Sequence, residues 1–518
     1  MKKVLIRSLL FICLIITGFL AFLWWQFRDR HPEYEVNLTV IPQSESILHA
    51  GFAALPITPQ VIDTWQDANK DARYIPEEGD TFDDNNGNGK FDAVWLAGFQ
   101  NRRPAQGIHD ELWARTMVLD DGNFRMAIVS LDCIGLGSDD IIRIRKAVKN
   151  TSEVDYVIVS STHTHEGPDV IGMWGNGDYS SGVKSTYIDY LINQAARSVV
   201  EAVDKLRVAE LRVAHDLTGA AHLVEDSRPP YVMDAGLMVL QAVDTATKAT
   251  LGTLVEWSNH PETLWNENLH ITSDFPHYVR EALEQGVFHQ DSLIREGLGG
   301  TAVYLTGSIG GLMTTSPSFP IQSIFSDTTY LVPSFEKAEE QGKQLALLAL
   351  QALDSAEVIQ KGGINLRAKS ISLPLQNPLF RLGAAIGVLD KGLWGWMKVR
   401  SEICVWRLGP MSFLHQPGEI YPEIVNGGVE APEGADFGIS PVERPPLREL
   451  MPGAYKFTVG LSNDMVGYII PKSEWDQKAP FIYEYEEAPY GEINSLGPET
   501  APILYKGLAE MLREIREE

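Results

Sequence analysis

The chain has 518 residues, of which 44% are hydrophobic and 22% are charged. These are ordinary values for a globular protein, and they exclude disorder, collagen and coiled coil as descriptions of the whole chain. The formal net charge of −26 would repel a phosphate backbone, so no nucleic-acid partner is expected. With three cysteines, a disulfide scaffold and a Cys-rich zinc module are also excluded. A metal site in this chain must therefore use His, Asp, Glu or Tyr.

The N-terminus carries an apolar segment. The run from Leu9 to Trp25 follows three basic residues and ends in two tryptophans, and no small-residue cleavage pattern comes after it. Its length is at the lower limit for a membrane-spanning helix. We therefore predict a transmembrane signal anchor over 4–26, a linker over 27–48, and one folded domain over 49–518 on the non-cytoplasmic side of a membrane. A cleaved signal peptide is the alternative.

Strand-like and helix-like stretches alternate after residue 49. β-rich apolar runs predict strands, and apolar residues at helical spacing predict helices. The predicted strands are 125–131, 156–160, 237–243 and 251–257, and the predicted helices are 139–148, 187–203, 275–285 and 335–353. Such alternation predicts an α/β fold, a layered mixed sheet with flanking helices.

Two apolar features have two interpretations each. The stretch Phe380–Val405 is rich in Trp, Leu, Ile and Val, and we predict that it is core, with the wall of a lipid pocket as the alternative. Cys133 and Cys404 both lie in strand-like runs. They could pair in an oxidising compartment, and two buried free thiols are the alternative.

An Asn- and Gly-rich loop resembles a calcium-binding loop. Asp84, Asn86, Asn88 and Asp92 fall at positions 1, 3, 5 and 9 of the calcium-loop pattern, and hard oxygen ligands at this spacing suit Ca²⁺. Position 12 is Trp95, where the pattern has a glutamate. The sequence therefore predicts a structural calcium here, with a solvated turn as the alternative.

The segment from Val157 to Asp169 carries the most chemistry. An apolar strand runs into Thr-His-Thr-His, and in an extended chain His163 and His165 point to the same face. Open α/β sheets place their ligands just past the carboxyl ends of strands. A metal or catalytic site is one interpretation, and two surface or core histidines are the other. His260, Glu419 and Tyr468 also follow strand-like runs or tight turns, and each is a weak indication alone.

These motifs resemble, in the same order, the neutral non-lysosomal ceramidases. The resemblance extends over roughly residues 49–515 and is most specific at the His-x-His and Pro-Gly-Glu motifs. It implies a ceramidase-like catalytic domain, and we expect the family's C-terminal immunoglobulin-like domain to be absent. The matching segments are Gly107–Arg115, Ser161–Pro168, His260-Pro261, Gln416–Glu419 and Leu461–Tyr468.

The resemblance also implies a catalytic zinc and its ligands. The family binds one zinc ion through two His, one Glu and one Tyr. His165 then lies beside the zinc and becomes a candidate proton donor to the leaving amine. Arg228 resembles a substrate-side arginine, and Tyr485 resembles a substrate-facing tyrosine, with Tyr483 competing for that place. The residues that match the zinc ligands are His163, His260, Glu419 and Tyr468.

The chain departs from the family pattern on the substrate side. Gly311 and Met313 stand where the family has an Asp and an active-site Ser, Glu166 replaces a Ser, and Met465 replaces a Tyr. The expected activity is zinc-dependent hydrolysis, by a zinc-activated water, of the linear amide of ceramide or a related N-acyl lipid held at a membrane. A hydrolase of another amide or ester, and a non-catalytic membrane-tethered binding protein, are the alternatives.

Overall fold

A computed structural model describes residues 2–517. Single-turn 3₁₀ helices lie at Pro76–Glu78, Gly219–Leu223, Gly310–Leu312, Lys472–Glu474 and Ile482–Glu484. The α-helices are α1 Lys2–Phe27, α2 Ser138–Lys149, α3 Ser185–Asp204, α4 Phe275–Gln285, α5 Phe335–Leu353, α6 Pro378–Ile386, α7 Pro422–Asn426, α8 Leu447–Leu450, α9 Tyr490–Ile493 and α10 Thr500–Glu517.

The strands fall into two large sheets and several short pairs. They are β1 Asn37–Val40, β2 Ser46–Ile47, β3 His49–Pro56, β4 Thr64–Gln66, β5 Thr81–Asp83, β6 Gly107–Ile108, β7 Trp113–Asp120, β8 Arg125–Leu131, β9 Tyr156–Ser161, β10 Arg207–Asp216, β11 Glu225–Asp226, β12 Leu237–Asp244, β13 Thr250–Trp257, β14 His270–Ile271, β15 Gly286–His289, β16 Ser292–Glu296, β17 Thr301–Thr306, β18 Met313–Thr314, β19 Ile321–Gln322, β20 Thr329–Tyr330, β21 Glu357–Ile359, β22 Lys361–Gly362, β23 Asn365–Pro374, β24 Lys398–Leu408, β25 Met411–His415, β26 Glu419–Ile420, β27 Tyr455–Val459 and β28 Tyr468–Ile469.

Both large sheets mix parallel and antiparallel neighbours. Within residues 2–517, the larger sheet has nine strands in the order β17-β13-β12-β10-β3-β7-β8-β9, with β21 added beside β10. The smaller sheet has five strands in the order β1-β23-β24-β25-β27. The pairs β8·β9, β13·β17 and β25·β27 are parallel, and the other pairs in these sheets are antiparallel.

The two sheets pack face to face because their strands alternate apolar residues toward both faces. In β8, Met126 and Ile128 point into a core shared with the smaller sheet, where Trp406 and Phe413 stack. The intervening residues of β8 point outward against α2 and α3. Further along the same outer face, α4 and α5 cover β12, β13 and β17.

The outer face of the smaller sheet is covered by helices as well. Apolar side chains of β23, β24 and β25 pack there with α7, α8 and α10. The domain is therefore a four-layer sandwich in the order helices, sheet, sheet, helices. The predicted α/β fold with a layered mixed sheet and flanking helices is confirmed.

The predicted elements agree with the structure to within two residues at each boundary. The strand predicted over 125–131 and the helices predicted over 275–285 and 335–353 have the same bounds as β8, α4 and α5. Cys133 and Cys404 are buried free thiols, as the second interpretation had it.

Part of the predicted linker belongs to the folded domain. β1, at Asn37–Val40, pairs antiparallel with β23 in the smaller sheet, and β2 pairs with β22. The prediction that 27–48 is only a linker is therefore corrected, because four residues of this stretch add an edge strand to the sheet.

The N-terminal helix α1 stands apart from the sandwich along most of its length. From Lys3 to Phe27 the helix has a mean hydropathy of 2.5, and its most apolar 18-residue stretch has no buried residue. Among the described helices, it alone is long and apolar enough to cross a membrane. Its last residue, Phe27, packs against the outer core of the smaller sheet.

Candidate metal centre

Four of the predicted site residues come together at one end of the sandwich. His163 follows β9 and His260 follows β13, both in the larger sheet. Glu419 follows β25 and Tyr468 follows β27, the parallel pair of the smaller sheet. Glu419 and Tyr468 are direct neighbours because β26 and β28 pair in parallel. Each sheet thus contributes two side chains to the space between the sheet ends.

Both imidazoles are oriented by backbone carbonyls. His163 Nδ1 lies 2.5 Å from the carbonyl oxygen of Ile134, and His260 Nδ1 lies 2.8 Å from that of Met313. A ring whose Nδ1–H donates to a carbonyl presents the lone pair of its Nε2, which is the arrangement that metal-binding histidines use. His163 also has a backbone φ of +70°, an uncommon conformation that is typical of functional sites.

The distances between the donor atoms suit a single small ion. Glu419 Oε2 lies 3.2 Å from His260 Nε2 and 3.6 Å from His163 Nε2. Donor atoms about 2.1 Å from a tetrahedral ion lie about 3.4 Å from one another. Two imidazoles, a carboxylate and a phenol are ligands that Zn²⁺ accepts, so the residues present fit a zinc ion.

His165 lies at the edge of this group. Its Nε2 is 3.3 Å from His163 Nε2, and the ligand atoms of His163, His165 and His260 all lie within 4.8 Å of one another. On its other side, His165 Nδ1 lies 3.1 Å from Glu262 Oε2. Sequence reasoning missed Glu262, although its position two residues after His260 was an available indication. A carboxylate behind an imidazole orients the ring and stabilises its protonated form.

The electrostatics distinguish the members of the cluster. Burial would raise the pKa of Glu419, but His163 and His260 outweigh it and hold this pKa well below its usual range. Burial lowers the pKa of His260, yet Glu262 and Glu419 raise it overall. For His165, burial and the neighbouring imidazoles lower the pKa well below its usual value. Glu419 is therefore the anion of the site, and His165 is a neutral imidazole.

Two tyrosines complete the wall next to the carboxylate. Burial, then Glu419, raises the pKa of Tyr468 well above its usual value, a tendency that a bound divalent cation would oppose. The ring of Tyr490 lies 6.0 Å from that of Tyr468 and lines the same cavity. Nothing in the sequence indicates a role for Tyr490, because it begins a four-residue helix in a segment without periodicity.

A short strap, residues 97–99, crosses His165. Gly98 approaches so closely that a Cβ on it would lie 2.4 Å from His165 Cγ, and the ring of Phe99 meets the imidazole edge to face at 5.1 Å. The buried Arg103 donates to the carbonyls of both Ala97 and His165. One guanidinium therefore ties the strap to the histidine that it covers.

Glu166 lies beside that guanidinium. Its Oε2 lies 3.4 Å from Arg103 Nη1 and accepts a hydrogen bond of 2.9 Å from Asn268. Burial outweighs Arg103 and raises the pKa of Glu166 to about 8. Glu166, which replaces the family's Ser, therefore contacts the arginine that holds the His165 carbonyl.

The cluster lies at the end of an apolar cavity of about 230 Å³. His163, His165 and Glu419 form its polar end. The remaining wall is mostly apolar and includes Val170, Ile188, Leu375, Phe380, Ala384 and Leu393. The prediction that Phe380–Val405 is plain core is therefore corrected for its first half, which lines the cavity, while β24 in its second half is core.

Arg228 and Tyr485 are not among the described residues that line this cavity. Arg228 is buried with its guanidinium 4.6 Å from the centre of the Tyr421 ring and its Nη2 3.0 Å from Glu492 Oε1. Tyr485 is partly exposed, and its competitor Tyr483 donates to Glu430 at 3.0 Å. The predicted substrate-side roles gain no support from these positions. The Arg228 guanidinium contacts neighbouring carboxylates and the Tyr421 ring instead of the cavity.

Two of the residues that depart from the family pattern, Gly311 and Met313, do not line the cavity, whereas a third, Met465, does. Met313 is buried in the core under α4 and α5, and it meets the site through its carbonyl, which accepts from His260. Gly311 has a φ of +68°, which favours glycine. A Cβ atom built on Gly311 would lie 3.2 Å from Asp226 Oδ1. Neither position places a side chain beside the histidines.

The predicted calcium loop forms an exposed turn. Asn86 and Asn88 both donate side-chain hydrogen bonds of 2.7 Å to Asp92 Oδ2. Asp84 accepts backbone hydrogen bonds from Asn88 and Gly89. These contacts gather the four predicted side chains in one turn, and calcium binding there stays a prediction.

Comparisons with known proteins agree with the resemblance seen in the sequence. Residues 87–299 match the family model described as neutral/alkaline non-lysosomal ceramidase, N-terminal. This part of the chain is similar to the N-terminal region of the neutral ceramidases. The matched region contains His163, His165 and His260, whereas Glu419 and Tyr468 lie beyond it.

A curated relative and two solved structures extend the likeness. Over 208 residues the chain is 27% identical to a neutral ceramidase of Drosophila pseudoobscura pseudoobscura, a match that covers 36% of this chain and 29% of that relative. The chain thus aligns with less than a third of this relative's length. Neutral ceramidase from Pseudomonas aeruginosa matches with a TM-score of 0.64 at 16% identity, covering 92% of this chain and 75% of that one. A ceramidase complexed with C2 matches with a TM-score of 0.61 at 16% identity, covering 91% and 76%. The two structures share the fold.

Proposed function

We propose that this protein is a membrane-anchored, zinc-dependent amidohydrolase that cleaves the amide bond of ceramide or a related N-acyl lipid. The observation that carries the proposal is the convergence of His163, His260 and Glu419 at the end of an apolar cavity that Tyr468 also lines. His163, His260, Glu419 and Tyr468 would hold the ion. When bound, zinc would lower the pKa of a water molecule and polarise the substrate carbonyl.

His165 and Glu262 would carry out the proton transfers. Neutral His165 would accept at Nε2 the proton that the attacking water loses, while Glu262, 3.1 Å from Nδ1, would stabilise the imidazolium that results. The same Nε2 then returns the proton to the leaving amine. Neither step needs a serine nucleophile, so the residues at Gly311 and Met313 are compatible with hydrolysis.

The cavity supports a lipid as the substrate. Its apolar wall would remove an acyl chain from water, which contributes about 0.8 kcal/mol for each buried CH₂ group. The polar end would receive the amide. The Glu419 carboxylate offsets part of the charge of a divalent ion, which favours a neutral substrate over an anionic one.

The N-terminal helix would keep the enzyme at its lipid. Trp24 and Trp25 end the apolar run as interfacial aromatics do, and the catalytic domain would lie on the non-cytoplasmic side. The docking of Phe27 against the domain supports an uncleaved anchor, because a signal peptide removed before this point would leave that apolar surface uncovered. The proposed division is the anchor at 4–26, with the zinc hydrolase domain following it.

The test is zinc content together with release of fatty acid from N-acyl-sphingosine by the purified full-length chain. We expect about one zinc per chain, and loss of both zinc and turnover in His163→Ala and in His260→Ala. His222→Ala, at an exposed histidine on the surface, is the matched control and should keep both. A protein that lacks zinc, or a His163→Ala variant with native turnover, would contradict the proposal.

A second candidate is hydrolysis of another acyl amide or an ester by the same site. The burial of Met313 away from the cavity favours it, because the family's substrate-side Asp and Ser have no counterpart there. Comparing N-acyl-sphingosine with fatty-acid esters and simple N-acyl amines of equal chain length separates the two candidates.

A further inference from the structure

The helix α6 has two apolar faces, and one of them is largely exposed in the described part of the chain. Phe380 and Ala384 line the cavity that ends at the histidines. Leu379, Leu382 and Ile386 follow the spacing i, i+3, i+7, so they share the opposite face, where their side chains are 64%, 47% and 43% exposed. A helix that is apolar on both faces needs a second apolar environment outside the domain.

The position of α6 beside the membrane-crossing helix indicates what that environment is. The end of α1 contacts α6, and Gln26 lies so close to Gly387 that a Cβ there would be 2.5 Å from its Nε2. Two charged contacts fix the junction just beyond: Arg30 pairs with Asp390, and Asp29 accepts two hydrogen bonds from Arg400, at 3.0 and 2.7 Å.

The tryptophans mark the depth at which α6 lies. Trp24 and Trp25 belong in the interfacial region where an apolar helix leaves a bilayer. Since α6 packs next to Gln26, it lies at the same level. Trp396, 85% exposed on the loop that follows α6, is a third exposed tryptophan.

We infer that α6 and Trp396 form an interfacial membrane-contact surface, with Leu379, Leu382 and Ile386 inserted at the boundary between headgroups and acyl chains. The occupant of the surface is the lipid bilayer, because the surface continues the apolar surface of the anchor. This inference rests on the membrane-anchor part of the proposed function. Because the other face of α6 lines the cavity, one helix separates the bilayer from the site, and a lipid amide can enter past it without crossing water.

Lipid-based quenching tests the contact without using enzymatic activity. The full-length chain carries Cys13→Ser, which leaves only the two buried thiols. A single cysteine is then introduced as Leu382→Cys, or as the control Leu331→Cys at a leucine that directly follows β20 and is 60% exposed. Each cysteine is labelled with an environment-sensitive fluorophore. Each protein is reconstituted into phosphatidylcholine vesicles with or without lipid that carries a spin label near the headgroup.

We expect the label at position 382 to shift to the blue and to lose about half of its emission to the spin-labelled lipid, as for a residue inserted at the acyl boundary. The label at position 331 should keep its emission. Equal, weak quenching at both positions would overturn the inference. This result would stand whether or not the protein hydrolyses any lipid.

Turnover tests the entry route. Leu379→Glu combined with Leu382→Glu should lower hydrolysis of an amide held in vesicles about tenfold, since charged residues are costly at this depth, and should leave a water-soluble short-chain amide unaffected. Leu331→Glu should change neither rate. If both substrates slow equally, α6 serves only as a cavity wall and the entry route is wrong. If the native chain hydrolyses neither amide, the proposed activity fails while the quenching result still decides the membrane contact.

Discussion

Adding a single methyl group at Gly98 tests whether His165 takes part in the reaction. In Gly98→Ala the new Cβ would lie 2.4 Å from His165 Cγ, 2.5 Å from its Cβ and 2.6 Å from its Nδ1. Carbon atoms not bonded to each other approach to about 3.5–4.0 Å, so either the imidazole or the strap must retreat by about 1 Å. Because Arg103 bonds the carbonyls on both sides, the strap cannot withdraw without losing those contacts.

A displacement of about 1 Å in a catalytic group costs about 100-fold in rate, or about 2.7 kcal/mol of barrier. We therefore expect kcat to fall about 100-fold in Gly98→Ala, while the zinc content stays near the native value because His165 is not among the proposed ligands. The measurements are kcat and KM with a lipid amide, and metal analysis of the same preparation.

The control separates backbone strain from displacement of the ring. Gly98 has a φ of +101°, so alanine there is also strained. Gly122, on the turn between β7 and β8, has a φ of +83° and no atom within 4 Å of a built Cβ. Gly122→Ala should lose stability but keep its kcat. A folded, zinc-loaded Gly98→Ala protein with kcat within about twofold of native would refute the assignment of His165.

Four further substitutions test the groups at the site and two buried glutamates elsewhere. Glu419→Gln should weaken zinc binding more than the roughly 10–100-fold that loss of an outer-shell partner costs, whereas Glu262→Gln should keep zinc and lower kcat, as metal titration and kinetics would show. Arg103→Lys should lower kcat about tenfold with little change in KM, since a lysine cannot hold two carbonyls in fixed geometry; unchanged kinetics would assign the arginine to stability alone. Burial raises the pKa values of Glu474 and Glu492 to about 7, so the folded chain retains protons that the unfolded chain releases above about pH 4.3. The free energy of unfolding should therefore fall as the pH rises from about 5 to about 7, by at most about 3 kcal/mol per group, and Glu492→Gln should flatten that slope in denaturant titrations.

The regular part of the fold could be predicted from sequence because burial leaves a periodic trace. β8 alternates between two cores, and the helices at 275–285 and 335–353 bury one stripe each, so their bounds follow from the pattern. The same logic located His163 and His260, since each follows a buried strand directly.

The parts that were missed depend on contacts between distant segments. Nothing near Gly98 in the sequence indicates that it will lie against a histidine 67 positions later, and Tyr490 stands in a segment without periodicity. The stretch from Phe380 to Leu393 was interpreted as core because apolar residues that line a cavity or face a membrane have the same composition as core residues. Only the placement of α6 distinguishes these cases.

The origin of the proposed ligands in two parts of the sandwich has a consequence for folding. His163 and His260 follow strands of the larger sheet, whereas Glu419 and Tyr468 lie on the short pair β26·β28 beyond the smaller sheet, so neither half of the sandwich holds all four proposed ligands. An ion bound by all four would act as a cross-link that only the assembled chain can form. Free zinc at 1,000 times its dissociation constant would then stabilise the native state by about 4 kcal/mol, and a chelator would lower the melting temperature.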